Sequence, residues 1–235
     1  MSDFRKNTDD RENHLPPAKL EEDLEAESVQ EVYDGLADGY VRNYEAGDRD
    51  KPFLDEFLSY VKVGTQVLDV GCGTGSGSKY FYDQGMRVEG VDLSERMIQI
   101  AAGRFPMITF RKADIRRLSY TAGQLGAVWA GYCLFHMGRD EFKGAVAGIR
   151  RWLISGGVFG LLMQEGQGSV DFPEPLLPGK SLMVHLYSAT ELSAILEGNW
   201  FEIVKIIRRH PASKLEYPYD KLLLIARAIE NASSR

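Results

Sequence analysis

The sequence predicts an α/β protein in which helices cover both faces of a doubly wound, mostly parallel sheet. Three observations support this class. From residue 66 onward, short apolar strands alternate with amphipathic helices, a glycine-dense loop follows the first strand, and two late strands lack a helix between them. Alternating strands and helices form parallel βαβ units, whereas two strands joined only by a loop form an antiparallel pair.

The composition is that of an ordinary globular protein, with 44% hydrophobic and 26% charged residues in 235. A formal net charge of −6 disfavours a nucleic-acid partner, which usually requires a basic surface. The chain has no run of about 18 apolar residues, and its polar N-terminus lacks the apolar core of a signal peptide. Two isolated cysteines suit a reducing compartment. We therefore expect a cytoplasmic protein without a membrane or nucleic-acid partner.

The N-terminal region divides into a tail and a helical part. Charged and small polar residues dominate residues 1–18, which predicts a disordered or loosely held tail. Apolar residues then recur at helical spacing and predict one or two short helices, weakened by Gly35 and Gly39. A further helix is predicted from Lys51. We expect residues 19–62 to cover the site, at the start of a single domain that spans residues 19–235.

The middle of the chain is predicted to alternate strands with helices. Strands are predicted at residues 66–70, 87–92, 108–114, 125–129 and 158–163, and helices at residues 78–84, from the N-cap Ser94 onward, and at 140–153.

The C-terminal third begins with a segment rich in glycine and proline. We predict that residues 164–187 form a linker that acts as a substrate lid. Ser188 is expected to cap a helix, and strands are predicted at residues 201–208 and 221–228. Only a proline-containing loop joins these two strands, so they are expected to form an antiparallel hairpin at a sheet edge.

The glycine loop carries the sharpest chemical signal. Gly71, Gly73 and Gly75 follow the first predicted strand, and glycine allows a tight turn and a close approach to a ligand. A phosphate-binding Walker loop is excluded because no Gly-Lys-Ser/Thr follows. The dinucleotide pattern G-x-G-x-x-G is also absent, because Ser76 and Ser78 stand where it requires glycine.

Three acidic residues accompany the loop. Asp69 precedes it, Asp92 ends the second predicted strand, and Asp114 ends the third. The carboxyl ends of parallel strands meet at one edge of a sheet, where ligands bind. A carboxylate at Asp92 can accept hydrogen bonds from ribose hydroxyls.

An acidic residue followed by G-x-G-x-G, together with the segment from Val91 to Met97, resembles the motifs of class I (Rossmann-like) S-adenosylmethionine-dependent methyltransferases of the small-molecule type. The resemblance covers roughly residues 30–229. It implies a seven-stranded sheet in the order 3-2-1-4-5-7-6 with strand 7 antiparallel. It also implies S-adenosylmethionine as cofactor and S-adenosylhomocysteine as product.

The resemblance assigns cofactor roles along the chain. Asp69 is expected to hold the loop and the methionine amino group, Asp92 the ribose, and Asp114 with Ile115 the adenine. Tyr33 and Tyr40 are expected to close over the sulfonium, which aromatic faces attract. The complete predicted cofactor set is Tyr33, Tyr40, Asp69, Gly71, Cys72, Gly73, Gly75, Asp92, Leu93, Met97, Asp114 and Ile115.

Methyl transfer requires an aligned nucleophile and, for some acceptors, removal of a proton. His136 is the candidate general base, with Tyr40 as a second catalytic candidate. The predicted substrate residues are Tyr132, His136, Glu165, Gln167, His185 and Tyr187. No spacing of metal ligands is present, so no metal is expected.

The predicted function is methyl transfer to an oxygen or nitrogen atom of a small molecule. Three alternatives stay open. The chain could be an NAD(P)-dependent oxidoreductase, although the missing glycine pattern disfavours that activity. It could bind the cofactor without catalysis, because fold does not dictate function. It could also use the sulfonium only as a fixed positive charge in other chemistry.

Overall fold

The computed structural model describes residues 17–43, 49–212 and 216–230. The helices are α1 (Pro17–Asn43), α2 (Lys51–Leu58), α3 (Ser76–Asp83), α4 (Glu95–Arg104), α5 (Arg139–Trp152) and α6 (Ala189–Gly198), with short 3₁₀ turns at Ile115–Arg117 and Leu134–His136. The strands are β1 (Gln66–Val70), β2 (Arg87–Asp92), β3 (Thr109–Lys112), β4 (Leu125–Gly131), β5 (Leu153–Gln164), β6 (Ser169–Pro173), β7 (Ser181–His185), β8 (Phe201–Arg209) and β9 (Lys221–Ala228).

Seven strands form one sheet in the order β3-β2-β1-β4-β5-β9-β8. Neighbouring strands are parallel except at β9, which runs antiparallel to both β5 and β8. The predicted sixth and seventh strands are β8 and β9, so the structure confirms the predicted order and the single antiparallel strand.

Helices pack on both faces of this sheet, and the central strands are therefore apolar on both sides. On one face, α5 and α6 bury Phe142 and Leu192 against β4, β5 and β9. On the other face, α2 and α3 bury Phe57 and Phe81 against Trp129 of β4. The carboxyl ends of β1, β2 and β4 are thereby held at one edge, beneath α1.

Helix α1 corrects the prediction of one or two short helices, because residues 17–43 form a single helix of 27 residues. The predicted tail lies outside the described residues except for Pro17 and Ala18, which begin this helix. Gly35 faces the turn after β6, where a Cβ would approach Leu177 to 3.0 Å. Packing against the rest of the protein therefore overrides the low helix propensity of this glycine.

The predicted linker at residues 164–187 contains eleven strand residues, because Gln164 ends β5 and the strands β6 and β7 form an antiparallel hairpin. Leu182 and Val184 are buried, and Leu182 packs against Val32 and Leu36 of α1. The prolines and glycines, which suggested a linker, lie mostly in the flanking turns. A lid role for this hairpin stays a prediction. No helix in the described parts of the chain is long and apolar enough to cross a membrane.

Candidate active site

Two adjoining cavities lie at the carboxyl ends of the parallel strands. The first, of about 170 Å³, is bounded by the glycine loop, the end of β2, one side of α1 and the turn after β4. The second, of about 120 Å³, lies between α1, the end of β5 and the start of β9. Tyr33, Tyr40 and Tyr132 line both cavities, so these three side chains form the boundary between them.

The glycine loop has left-handed backbone at all three of its glycines, and two of them, Gly71 and Gly73, differ in their surroundings. Gly71 has a φ of 66°, and a Cβ at this position would lie 2.3 Å from the Cβ of Cys133. Gly73 has a φ of 53°, and a Cβ there would meet no heavy atom within 4 Å. Gly71 is therefore required for packing, whereas Gly73 leaves open space on the cavity side of the loop.

Asp92 ties the glycine loop to β2. Its Oδ2 accepts the backbone N–H of Gly73 at 2.8 Å, and its Oδ1 accepts that of Ser94 at 2.9 Å. Burial raises the pKa of this carboxyl, and the backbone N–H groups partly offset that effect. A carboxylate offers about four acceptor positions, so Asp92 retains acceptors for a ligand in the first cavity. Leu93 and Met97 line the same cavity.

Three members of the predicted cofactor set lie beneath the loop and do not line the first cavity. Asp69 is buried and accepts a hydrogen bond from the Ser78 hydroxyl at 2.6 Å, and burial raises its pKa to about 7. Cys72 is buried behind the loop. Gly75 packs beside Phe110. These residues support the loop from its buried side: Asp69 bonds Ser78 in the first turn of α3, and Gly75 directly precedes this helix.

Asp114 and Ile115 line the first cavity at the end of β3. The Asp114 carboxylate is already engaged, because Arg116 donates to both of its oxygens. Hydrogen bonds from Arg116 hold the pKa of Asp114 below its usual value, against the effect of burial. Arg116 also bonds Glu141 of α5. An adenine amino group at Asp114 would therefore share the carboxylate with Arg116.

Tyr33 and His136 form a hydrogen-bonded pair at the cavity boundary. The Tyr33 hydroxyl lies 2.9 Å from His136 Nε2, and His136 Nδ1 lies 3.0 Å from the backbone oxygen of Met183 on β7. A carbonyl oxygen only accepts, so Nδ1 carries the proton and Nε2 accepts from Tyr33. Burial lowers the pKa of His136 to about 4, and the imidazole is neutral at pH 7.

Tyr132 is held in an unusual backbone conformation at this boundary. Its φ is 56°, a left-handed value that side chains other than glycine rarely adopt, and its backbone N–H donates to the Leu162 oxygen at 3.0 Å. The hydroxyl donates to Asp50 at 3.0 Å. Asp50 accepts from Arg209 as well, at 2.7 Å. Backbone strain of this kind is concentrated at functional sites.

The second cavity is lined mostly by residues that the sequence reasoning did not select. Gln164, Glu174, Tyr217 and Lys221 all contribute to it. Burial lowers the pKa of Lys221 to about 8. Lys221 stands directly before the apolar run Leu222–Ala226 of β9. A lysine next to such a run was the sequence signal that could have indicated this site.

Four of the predicted substrate residues do not line either cavity. Glu165 forms an ion pair with Arg208, and Gln167 is exposed. His185 bonds the Ser169 hydroxyl across the hairpin, and Tyr187 is fully buried. Tyr132 and His136 are the substrate candidates that the structure brings to the cavities. Within residues 17–43, 49–212 and 216–230, no group of three or more His, Cys, Asp or Glu side chains is placed to hold a metal ion.

Comparison with known proteins shows similarity to methyltransferases. Residues 67–157 match the model of a methyltransferase domain. An uncharacterized methyltransferase of Synechocystis is 24% identical over 62% of this chain and 70% of its own length. The malonyl-[acyl-carrier protein] O-methyltransferase of Enterobacter lignolyticus is 33% identical over 40% of this chain, and the match spans only 36% of that relative.

A solved structure agrees over most of the chain. The 1,6-didemethyltoxoflavin-N1-methyltransferase of Burkholderia thailandensis superposes with a TM-score of 0.70 and covers 92% of each chain. The identity is 23%, so this likeness establishes the fold. That protein was crystallised with S-adenosylhomocysteine and 1,6-didemethyltoxoflavin bound.

Proposed function

We propose that this chain is a class I S-adenosylmethionine-dependent methyltransferase that transfers a methyl group to an oxygen or nitrogen atom of a small molecule. One observation carries the proposal. The cavity lined by the glycine loop and Asp92 meets a second cavity at three tyrosines, so two ligands would face each other at that boundary.

The first cavity fits the cofactor in two respects. The cavity side of Gly73 is open where a Cβ would stand, so the backbone can lie against a ligand. The Asp92 carboxylate keeps acceptors for ribose hydroxyls after bonding Gly73 and Ser94. Tyr33 and Tyr40 would hold the sulfonium end, and Asp114 with Ile115 the adenine end. When bound, the cofactor supplies an electrophilic methyl group on a positively charged sulfur.

The residues at the boundary would position the acceptor and exclude water. Tyr33, Tyr40 and Tyr132 line both cavities, so their rings would lie beside the cationic sulfur. Aligning the acceptor atom supplies most of the rate, because the cofactor carries the reactivity. The relatives' names include both an O- and an N-methyltransferase, so both acceptor atoms stay within the proposal.

The Tyr33–His136 pair is the proposed route for the acceptor's proton. The Tyr33 hydroxyl would take the proton from the acceptor as its own proton passes to His136 Nε2, which already accepts this hydrogen bond. A pKa of about 4 makes His136 a weak base. The pair therefore suits an acceptor atom that becomes acidic as the methyl group, with its positive charge, arrives.

A calorimetric titration with S-adenosylmethionine and S-adenosylhomocysteine tests the proposal. We expect micromolar binding to the wild type and at least about a tenfold loss in Asp92→Ala, which removes acceptors of charge-assisted hydrogen bonds. Asp83→Ala, at an exposed aspartate of α3, is the matched control and should bind as the wild type does. Transfer of label from methyl-labelled cofactor to candidate acceptors then tests the reaction.

Two results would contradict the proposal. The absence of binding to well-folded wild-type protein would remove the cofactor site and favour a function without methyl transfer. Binding that is equal in Asp92→Ala and the wild type would remove the assigned role of Asp92. The absence of a nucleic-acid partner and a cytoplasmic location both stay predictions from composition.

A further inference from the structure

The second cavity contains a buried pair of polar side chains that take no part in the proposed proton transfer. Gln164 ends β5 and Lys221 begins β9, and the two residues are direct partners across this antiparallel pair. Residues directly opposite each other project their side chains on the same face, with Cβ atoms about 4.5–5.5 Å apart. Their relative exposures are 3% and 2%, and both line the cavity.

Both side chains have unused hydrogen-bonding capacity. Gln164 Oε1 is buried and has no hydrogen-bond partner among the described residues. Lys221 Nζ donates to the backbone oxygens of Tyr217 and Tyr219, each at 2.7 Å. Its third N–H makes no further hydrogen bond in the described part of the chain, although the ammonium forms a long ion pair with the Glu216 carboxylate at 3.9 Å. Buried polar groups are nearly always paired, so this wall of the cavity indicates a ligand with complementary groups.

The remaining walls favour a planar ligand of low net charge. Tyr33, Tyr132 and Tyr217 present aromatic rings beside the Gln164–Lys221 pair. Among the other charged residues, Arg49 bonds Glu216, Asp50 bonds Arg209, which lies outside the cavity lining, and Glu174 adds a further buried carboxylate. A strongly anionic acceptor such as a phosphate ester would gain little here.

From these contacts we infer that the methyl acceptor is a planar nitrogen heterocycle with a lactam edge, an N–H beside a C=O, that pairs with Gln164 and Lys221. The lactam N–H would donate to Gln164 Oε1, and the carbonyl would accept from Gln164 Nε2 and Lys221 Nζ. Rotation about the last side-chain bond of Gln164 turns either end of its amide toward the ligand. Carboxamide side chains pair with the edges of nucleobases in the same bidentate way.

This inference rests on the proposed function, because it names the acceptor class of the same site. Its test uses two planar probes with the same bicyclic ring skeleton, quinoxalin-2-one, which has a lactam edge, and quinoxaline, which lacks one. Each is titrated calorimetrically into the protein saturated with S-adenosylhomocysteine. We expect quinoxalin-2-one to bind at least about tenfold more tightly to the wild type, since an unpaired buried amide rejects the analogue.

The variants Gln164→Met and Lys221→Met keep the length of each side chain and remove its polar end. We expect Gln164→Met to abolish the preference for quinoxalin-2-one and Lys221→Met to reduce it several-fold. Gln99→Met and Lys205→Met make the same changes at exposed positions and should leave the preference intact. Thermal unfolding and S-adenosylhomocysteine binding establish that each variant is folded, and Gln164→Leu replaces Gln164→Met if that variant does not fold.

Equal affinity for the two probes, a preference that survives in both site variants, or no binding of either probe to the loaded wild type would overturn the acceptor class. In each of these cases S-adenosylhomocysteine still binds, so the proposed function stands. Failure of S-adenosylhomocysteine to bind the wild type would instead overturn the proposed function, and the acceptor class with it.

Discussion

The two cavities are built in different ways. The first is lined largely by residues at the ends of β1, β2 and β3 and in the turn after β4, which follow one another along the chain, with α1 placed above them. The second is formed by side chains from both ends of the chain, which meet only because β9 pairs with β5. A ligand site made from contiguous backbone leaves a readable motif, whereas a site made from distant side chains leaves single residues without a pattern.

The cavities also differ in what holds their walls in place. Around the first, backbone hydrogen bonds to Asp92 and tight packing at Gly71 fix the loop. Around the second, an ion-pair network of Arg209, Asp50 and Glu216 fixes the side chains. Such partly exposed pairs contribute little stability each, so the second cavity can change its residues with little effect on the fold. Such an arrangement would let related proteins keep the same cofactor while they bind different acceptors.

The largest expected effect is a loss of stability in the glycine loop, where alanine substitutions distinguish a packing role from a ligand-contact role. Gly71→Ala should lower the free energy of unfolding by about 2–5 kcal/mol, because it adds left-handed strain and a clash with Cys133. Gly73→Ala should lower it by only about 1–2 kcal/mol, because its Cβ enters open space. Urea unfolding measures both losses.

Titration with S-adenosylhomocysteine completes this test. Gly73→Ala should lose at least about tenfold in affinity even though it stays folded, because its methyl group occupies the space of the ligand. If Gly73→Ala binds S-adenosylhomocysteine as well as the wild type does, the first cavity is not the cofactor site. Gly64→Ala, at a left-handed glycine with open space around it and outside the cavity, is the matched control.

The sequence predicted the fold well because its signals are local. Strands β1, β2 and β9 begin and end where their apolar runs do, and Ser94 and Ser188 cap the helices expected at them. The hairpin β6–β7 was missed because its inward residues pack against α1, which is distant in sequence. In the prediction, the glycines and prolines of this segment indicated turns more strongly than its short alternating pattern indicated strands.

The same rule holds for the site: residues in a contiguous motif were predicted, and residues brought together by the fold were not. Gly73 and Asp92 were predicted from a contiguous motif, and the structure places both at the first cavity. Glu165 and Gln167 were proposed because they follow β5, but the residue that faces the second cavity is Gln164, one position earlier. Successive strand residues point to opposite faces, so a shift of one position reverses the assignment. Only the three-dimensional register shows that Gln164 meets Lys221.

The next expected effect is on the pH dependence of stability, to which two buried groups near the cavities contribute with opposite sign. Asp69, beneath the glycine loop, has a pKa of about 7, above its ordinary value of 3.8. The folded state therefore keeps a proton that the unfolded state loses, and stability falls as the pH rises from about 4 to 7. His136, at the tyrosine boundary, has a pKa of about 4, below 6.5. Its contribution is full above pH 6.5 and is lost as the pH falls toward 4.

Removal of each group should change opposite ends of the pH profile. Asp69→Asn should remove a loss of about 4 kcal/mol on the neutral side, and His136→Gln a loss of about 3 kcal/mol on the acid side. Urea unfolding between pH 4 and 8 measures both. Asp83→Asn and His210→Gln make the same two changes at exposed positions away from the cavities and serve as matched controls. Parallel profiles for the wild type and the two buried variants would contradict these assignments.

The smallest effect concerns a predicted substrate residue that the structure places away from both cavities. Tyr187 is fully buried against Phe142, and its hydroxyl has no hydrogen-bond partner among the described residues. Removal of an unpaired buried hydroxyl abolishes a desolvation penalty and leaves the ring packing intact. Tyr187→Phe should therefore leave the free energy of unfolding unchanged or raise it by up to about 1 kcal/mol, with acceptor and cofactor binding unaltered. A loss of acceptor affinity in Tyr187→Phe would show that the second cavity extends past the end of β5 to this residue. The acceptor site would then include still more residues that are distant in sequence, and its contrast with the first cavity would be sharper.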